Sequence, residues 1–225
     1  MNNNERLVLD RANFPMLWVE GLKAHVHLLP VTKIQYEYYL WDAPNPGLDQ
    51  QWYDQVTKDN KRISPQAVTK DDYWRLFITA VLPSEAKLYA EWCSGQSGDT
   101  KYFLPDATQW QAAYRHFKES KEGDPFQAAL ELPGLAPRCR TILEKLPKVA
   151  DAPSLAERLL FRGGVMEWVS DPQSGWGLFG HPSVRFVSMG RDPNTSSKPL
   201  YPAKPEDTQA RHRTYGFRLL RQKLA

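Results

Sequence analysis

The sequence predicts an α+β domain. Helical stripes with local capping signals dominate the chain from about residue 33 to 117, and past Gly163 the apolar period falls toward two between Gly-, Pro-, Ser- and Asn-rich loops. A third observation fits a packed, loop-rich fold: aromatic residues make up 12% of the 225 positions, with eight tryptophans and ten tyrosines, more than an ordinary globular share.

In chain order, Leu17–Val19 and His25–Leu29 are short β-rich runs separated at Glu20 and Gly21, which reads as a hairpin or two adjacent strands. Thr32 and Gln35 have capping-box spacing, and Ile34, Tyr38 and Trp41 then recur near helical period, predicting a helix over about 33–41. Residues 43–72 carry turn formers without sustained periodicity and are expected to be a long surface excursion. Ser84 is read as opening a second helix, with Ala86, Tyr89, Ala90 and Cys93 on one stripe and Gly95 as its stop. Asp106 and Gln109 repeat the cap spacing before Trp110, Ala113, Tyr114 and Phe117, the apolar face of a third helix. Residues 119–160 differ in texture: helical patches at Phe126–Leu130, Arg140–Leu146 and Ser154–Leu160 are expected to be cut short by Pro133, Pro137, Pro147 and Pro153. The strand candidates beyond Gly163 are Val165–Val169, Val184–Met189 and Tyr215–Arg221.

Twenty-nine Lys and Arg against 26 Asp and Glu leave a formal charge of +3, too little for a nucleic-acid footprint without a concentrated patch. No apolar run approaches the ~18 residues of a membrane span, and the start lacks a signal-type apolar core, so the expectation is a cytoplasmic protein with neither nucleic-acid nor membrane partners. Cys93 and Cys139 lie 46 positions apart, supplying neither a disulfide framework nor a zinc-type pair. Walker, G-x-S-x-G, H-E-x-x-H and dinucleotide signatures are all missing. His25 and His27 share a strand face as two metal ligands might, but same-face polar residues on a half-buried strand are ordinary and no third ligand can be named. The most informative local string is Gly163–Asp171, where Glu167 stands inside an apolar strand and needs partners, arginine or backbone, while Trp168 packs in the core.

Five strings in chain order carry a family resemblance: P-V-T-K-I-Q-Y at 30–36, A-K-L-Y-A-E-W at 86–92, L-P-D-A-T-Q-W at 104–110, G-G-V-M-E-W at 163–168 and G-F-R at 216–218. Together they resemble the formylglycine-generating enzyme (sulfatase-modifying factor) family over nearly the whole chain. The resemblance implies a single domain over 1–225 with the C-type-lectin-like α+β fold of that family, little regular structure, terminal strands that meet, and a divergent helical insert at about 119–160. It also implies where catalysis is lost. Active family oxidases hold copper with two cysteines in the stretch matching Arg185 to Arg218, and that stretch contains none here, so oxidase activity is not expected. Gly164 and Met166 replace the asparagine and first tryptophan of the family's calcium-linked motif, leaving Glu167.

The functional expectation is therefore a non-catalytic module, with no cofactor or metal assigned, that recognises a protein partner or ligand through its C-terminal loops. Trp176, Phe179, Arg185, Arg191, Asn194, Tyr201, Arg211 and Arg213 supply the aromatic and arginine types that dominate recognition hot spots. Two alternatives stand beside it. One is a variable target-binding protein of a diversity-generating retroelement, on the Asn194–Ser197 run; the other is an oxidoreductase with iron or copper on His25, His27, His181 or His212.

Overall fold

A computed structural model describes residues 6–43, 45, 47–95, 98–119, 123–149, 165–171, 175–179, 201–202, 211 and 213–224. Strands β1 (Leu7–Leu9), β2 (Pro15–Val19) and β3 (Ala24–His27) form an antiparallel meander, with Leu17 opposite Val26 and Trp18 opposite His25. The C-terminal strand β9 (Leu220–Lys223) then pairs with β3, and β4 (Thr100–Phe103) pairs with β9, giving the five-stranded order β1-β2-β3-β9-β4. The two ends of the chain thus meet in one sheet. A second sheet, ordered β7-β6-β5-β8, contains β5 (Met166–Asp171), β6 (Gly175–Phe179), β7 (Tyr201–Pro202) and β8 (Tyr215–Gly216).

The helices begin where local chemistry supplies a start. Thr32 and Gln35 make the reciprocal capping box of α1 (Lys33–Asp42). Asp106 and Gln109 make the same exchange at the head of α4 (Ala107–Glu119), at 2.9 and 2.7 Å. Between them α3 (Pro83–Ser94) is capped at Leu82, two residues before the Ser84 expected to open it, because Glu85 turns back to accept the Leu82 N–H at 2.7 Å and Pro83 occupies the first helical position. The excursion at 43–72 is not wholly irregular: Asp49 caps α2 (Gln50–Val56), which buries Trp52, Tyr53 and Val56. At seven residues this helix is too short to display a period. Within 119–160, α5 (Pro125–Leu130) and α6 (Pro137–Val149) are both observed, but Pro147 lies inside α6 instead of ending it. Buried Ile142, Leu143 and Leu146 hold that last turn against the core despite the missing N–H. The candidate elements Ser154–Leu160 and Val184–Met189 fall outside the described residues.

The expected strand Tyr215–Arg221 divides between the two sheets. β8 pairs with β5, residues 217–219 cross over, and β9 joins β3. The crossing residues stay bonded: Val31 N–H donates to Phe217 O at 2.8 Å and His27 N–H to Leu219 O at 3.1 Å. Gly216 is required at the crossing, since a Cβ there would lie 2.7 Å from Ile78 O and 2.8 Å from Val165 Cγ1. Packed around it is an aromatic stack, with Tyr36 face to face with both Tyr89 and Trp52 at 5.5 Å and Phe217 edge-on to Tyr36 and Tyr89. That stack joins α1, α2, α3 and the C-terminal crossover into one core.

Candidate recognition surface

Strand β5 leads into the proposed recognition segment and β8 receives it back. The two run parallel, with Met166 opposite Tyr215 and Glu167 opposite Gly216, so the chain leaves and re-enters the core at adjacent points. A buried ion pair fixes this junction. Arg218 donates from Nε to Glu167 Oε2 and from Nη2 to Oε1, both at 2.7 Å, and Nη1 reaches His27 O at 3.1 Å. Trp110 Nε1 adds a third donor to Glu167 at 2.9 Å. Bidentate pairing satisfies both carboxylate oxygens, which is the condition for keeping such a group buried. Trp168, on the next residue, is fully buried, donates to Val81 O at 2.9 Å and meets Tyr215 edge-on at 5.2 Å. The partners expected of Glu167 and the core place expected of Trp168 and Trp110 are therefore both found.

A second ion pair holds the returning chain four residues before β8. Arg211 donates to Glu85 at 2.5 and 2.8 Å and to Ala80 O at 2.9 Å, with its guanidinium 5.6 Å from the Trp52 ring centre. Glu85 also accepts Trp52 Nε1 at 2.8 Å. Ala80 adopts a left-handed conformation with φ of 62°, a strained choice for alanine that persists where its surroundings over-determine it. Of the sequence-named residues, Arg211 is thus committed to anchoring, while Arg213 is exposed in the turn before β8. Trp176 and Phe179 lie on β6, in register with Ser170 and Glu167, and Tyr201 lies on β7 opposite Leu178. Arg185, Arg191 and Asn194 fall outside the described residues, as do His181 and His212. Beside the start of the segment a cleft of about 600 Å³ opens between α3 and β4, lined by Lys87, Glu91, Lys101, Phe103, Leu104 and Ser170 among others.

Both thiols, His25 and His27 are committed to the core. Cys93 and Cys139 are both buried and free, and burial pushes each thiol well above its ordinary range, with the nearby Asp10 charge adding to the shift. Neither is a ready thiolate. His27 commits both ring nitrogens: Nδ1 accepts the Leu219 N–H at 3.2 Å, so the proton sits on Nε2, 3.0 Å from Asp10 Oδ2. A metal at His27 would have to displace one of these bonds. His25 packs against Trp18 at 5.0 Å. Among the described residues no group of three His, Cys, Asp or Glu side chains could hold a metal ion.

Sequence reading did not identify two buried polar centres. Asp10 accepts the Ala12 and Phe14 N–H groups, Gln35 Nε2 and His27, tying β1, β3 and α1 together. Lys33 is buried in the first turn of α1, donating to Asn60 Oδ1 at 2.8 Å and to Arg75 O. Burial, reinforced by the Arg75 charge, lowers its pKa from 10.5 to about 7. No family model, curated protein or solved structure matches this chain.

Proposed function

We propose that the chain is a single-domain, non-catalytic module of the formylglycine-generating enzyme type, with that family's C-type-lectin-like fold, and that it recognises a protein partner or ligand with the surface between Asp171 and Tyr215. The observation that carries this reading is the double clamp at the segment's base. The Glu167–Arg218 pair and the parallel β5–β8 junction fix its ends, and the Arg211–Glu85 pair fixes its return. A rigid frame holding a long, cysteine-free stretch rich in aromatic and arginine residues is the arrangement a recognition surface needs. The pairing of β9 with β3 supports the fold assignment, because meeting terminal strands are what the resemblance implies. The two raised, buried thiols support the non-catalytic part, since copper(I) requires thiolates or ligands of similar softness.

Affinity capture with quantitative mass spectrometry tests the reading. The partner recovered on the wild-type chain is expected to be lost on a Trp176→Ala, Arg191→Ala, Arg213→Ala variant that melts normally, and retained on a control altered at exposed Gln127, Glu131 and Glu144 of the insert. The reverse pattern refutes it. A sulfatase-type Cys-x-Pro-x-Arg peptide incubated with the protein and copper should show no aldehyde above a protein-free control.

A further inference from the structure

The insert does more than decorate the fold. Its helix α6 faces the loop at 61–67, and between them lies a polar cleft of about 470 Å³ lined by Arg62, Ser64, Pro65, Gln66 and Arg138. Among the described residues no carboxylate lines it. Arg62 Nη1 rests 3.0 Å from Glu37 Oε2, and the other Glu37 oxygen accepts the Tyr53 hydroxyl at 2.7 Å. The guanidinium is thereby oriented through one nitrogen, with its remaining N–H groups uncommitted to Glu37. Arg138 is exposed and has no ion-pair partner among the described residues. Ser64 Oγ donates to Gln66 Oε1, which uses the carboxamide oxygen and leaves its N–H₂ to donate.

The cleft is also held in shape. Ala67 N–H closes a turn onto Ser64 O at 3.0 Å, and Arg75 Nε ties the loop's start through Lys61 O at 3.2 Å. Lys145 reaches from α6 to Gln66 O, linking the two walls, and Ala136 N–H bonds Asn13 O at 3.2 Å just before α6 begins. Ordering costs that a ligand would otherwise meet are therefore already met by the fold.

We propose that this cleft binds a phosphate monoester, with Arg62 from the loop and Arg138 from the helix taking the dianion's oxygens and Gln66 donating alongside. Two planar guanidinium forks match a doubly charged, three-oxygen group; a carboxylate, with one charge and two oxygens, satisfies one fork. The volume exceeds what a bare phosphate fills, leaving room for the organic part of the ester. That ester is either a free small molecule or a phosphorylated side chain.

Calorimetric or NMR titration of the whole chain with inorganic phosphate, O-phosphoserine and a phosphoserine-centred peptide tests this, at low ionic strength and again at about 150 mM salt. Saturable binding is expected, weakened about tenfold or more by Arg138→Gln and by Arg62→Gln, as loss of a charge-assisted contact requires. Arg138→Gln should melt like the wild type, which separates lost binding from lost fold. Affinity for the peptide above that for O-phosphoserine assigns the site to phosphorylated protein segments, and equal affinity assigns it to small esters. Absence of saturable binding for all three probes, undiminished binding by Arg138→Gln, or acetate binding as tightly as phosphate would each overturn the proposal.

Discussion

Lys33 makes the stability of this protein depend on pH in a way that can be worked out in advance. Its amine is buried against Asn60 Oδ1 and Arg75 O, and the charges facing it are Arg75, Arg62 and Glu37, two cations against one anion. In the unfolded chain it ionises near 10.5 and in the folded one near 7. The folded pKa is the lower, so between these values the unfolded chain binds more protons and stability rises with pH, by about 1.4 kcal/mol per unit where the difference is complete. The two buried thiols act in the opposite sense. Held protonated in the fold, each withdraws about 1.4 kcal/mol per unit once pH passes its ordinary 9.0, because the unfolded chain then releases protons that the fold retains. Above that point the thiols, joined by the buried tyrosines whose ionisation is also pushed up, oppose the Lys33 gain. From about pH 6 to 8.5 the Lys33 contribution amounts to about 2 kcal/mol. Urea melts across that range should show the gain in the wild type and its disappearance in Lys33→Met. The substitution itself leaves Asn60 Oδ1 and Arg75 O short of a donor, at about 1–3 kcal/mol each, so the absolute stability falls; the readout is the difference in pH dependence, in which that cost and the shared histidines cancel. Parallel profiles for the two proteins would show that Lys33 stays solvated or fully charged in the fold, and the reasoning would fail.

Four further outcomes follow from the same geometry. Glu167→Gln should cost about 3–5 kcal/mol, since it removes the carboxylate that pairs with the buried Arg218 guanidinium through two hydrogen bonds, and pairing it with Arg218→Met should recover part of that in a double-mutant cycle read by urea melts. Gly216→Ala should destabilise through the contact with Ile78 O, which is backbone and cannot swing aside; a melting temperature equal to wild type would contradict the crossover described. Cys93 and Cys139 should resist Ellman's reagent in the native protein and react fully in urea, and rapid native labelling of either would mean that its thiol is exposed. Arg211→Ala should lower stability by about 1–3 kcal/mol, because Glu85 loses its cation, whereas Arg213→Ala should leave the melt unchanged and reduce partner binding.

What the sequence made legible is what short-range chemistry determines. The starts of α1 and α4 are written in Thr32–Gln35 and Asp106–Gln109, and the burial of Trp110, Trp168 and Glu167 follows from pattern and from the cost of an unpaired carboxylate. The partners were not legible, because they come from far away along the chain. Arg218 reaches Glu167 across 51 positions and Arg211 reaches Glu85 across 126, and nothing local distinguishes an arginine that anchors from one that recognises. Lys33 reads as a solvated cation in a first helical turn until Asn60 and Arg75 close over it. Strand Tyr215–Arg221 reads as continuous because each half alternates correctly, and only the demand that Arg218 face Glu167 while Leu220 pairs with Val26 divides it. The same reasoning orders the proposed recognition residues. Arg211 shares its composition class with Arg213 and Arg191, yet its ion pair spends the guanidinium on the frame. On the proposed reading, the segment between Asp171 and Tyr215 divides its arginines between anchoring to the frame and meeting a partner. The proposal therefore assigns recognition to Arg213 ahead of Arg211: it is exposed two positions beyond the anchored residue, close to the clamp and outside its ion pair.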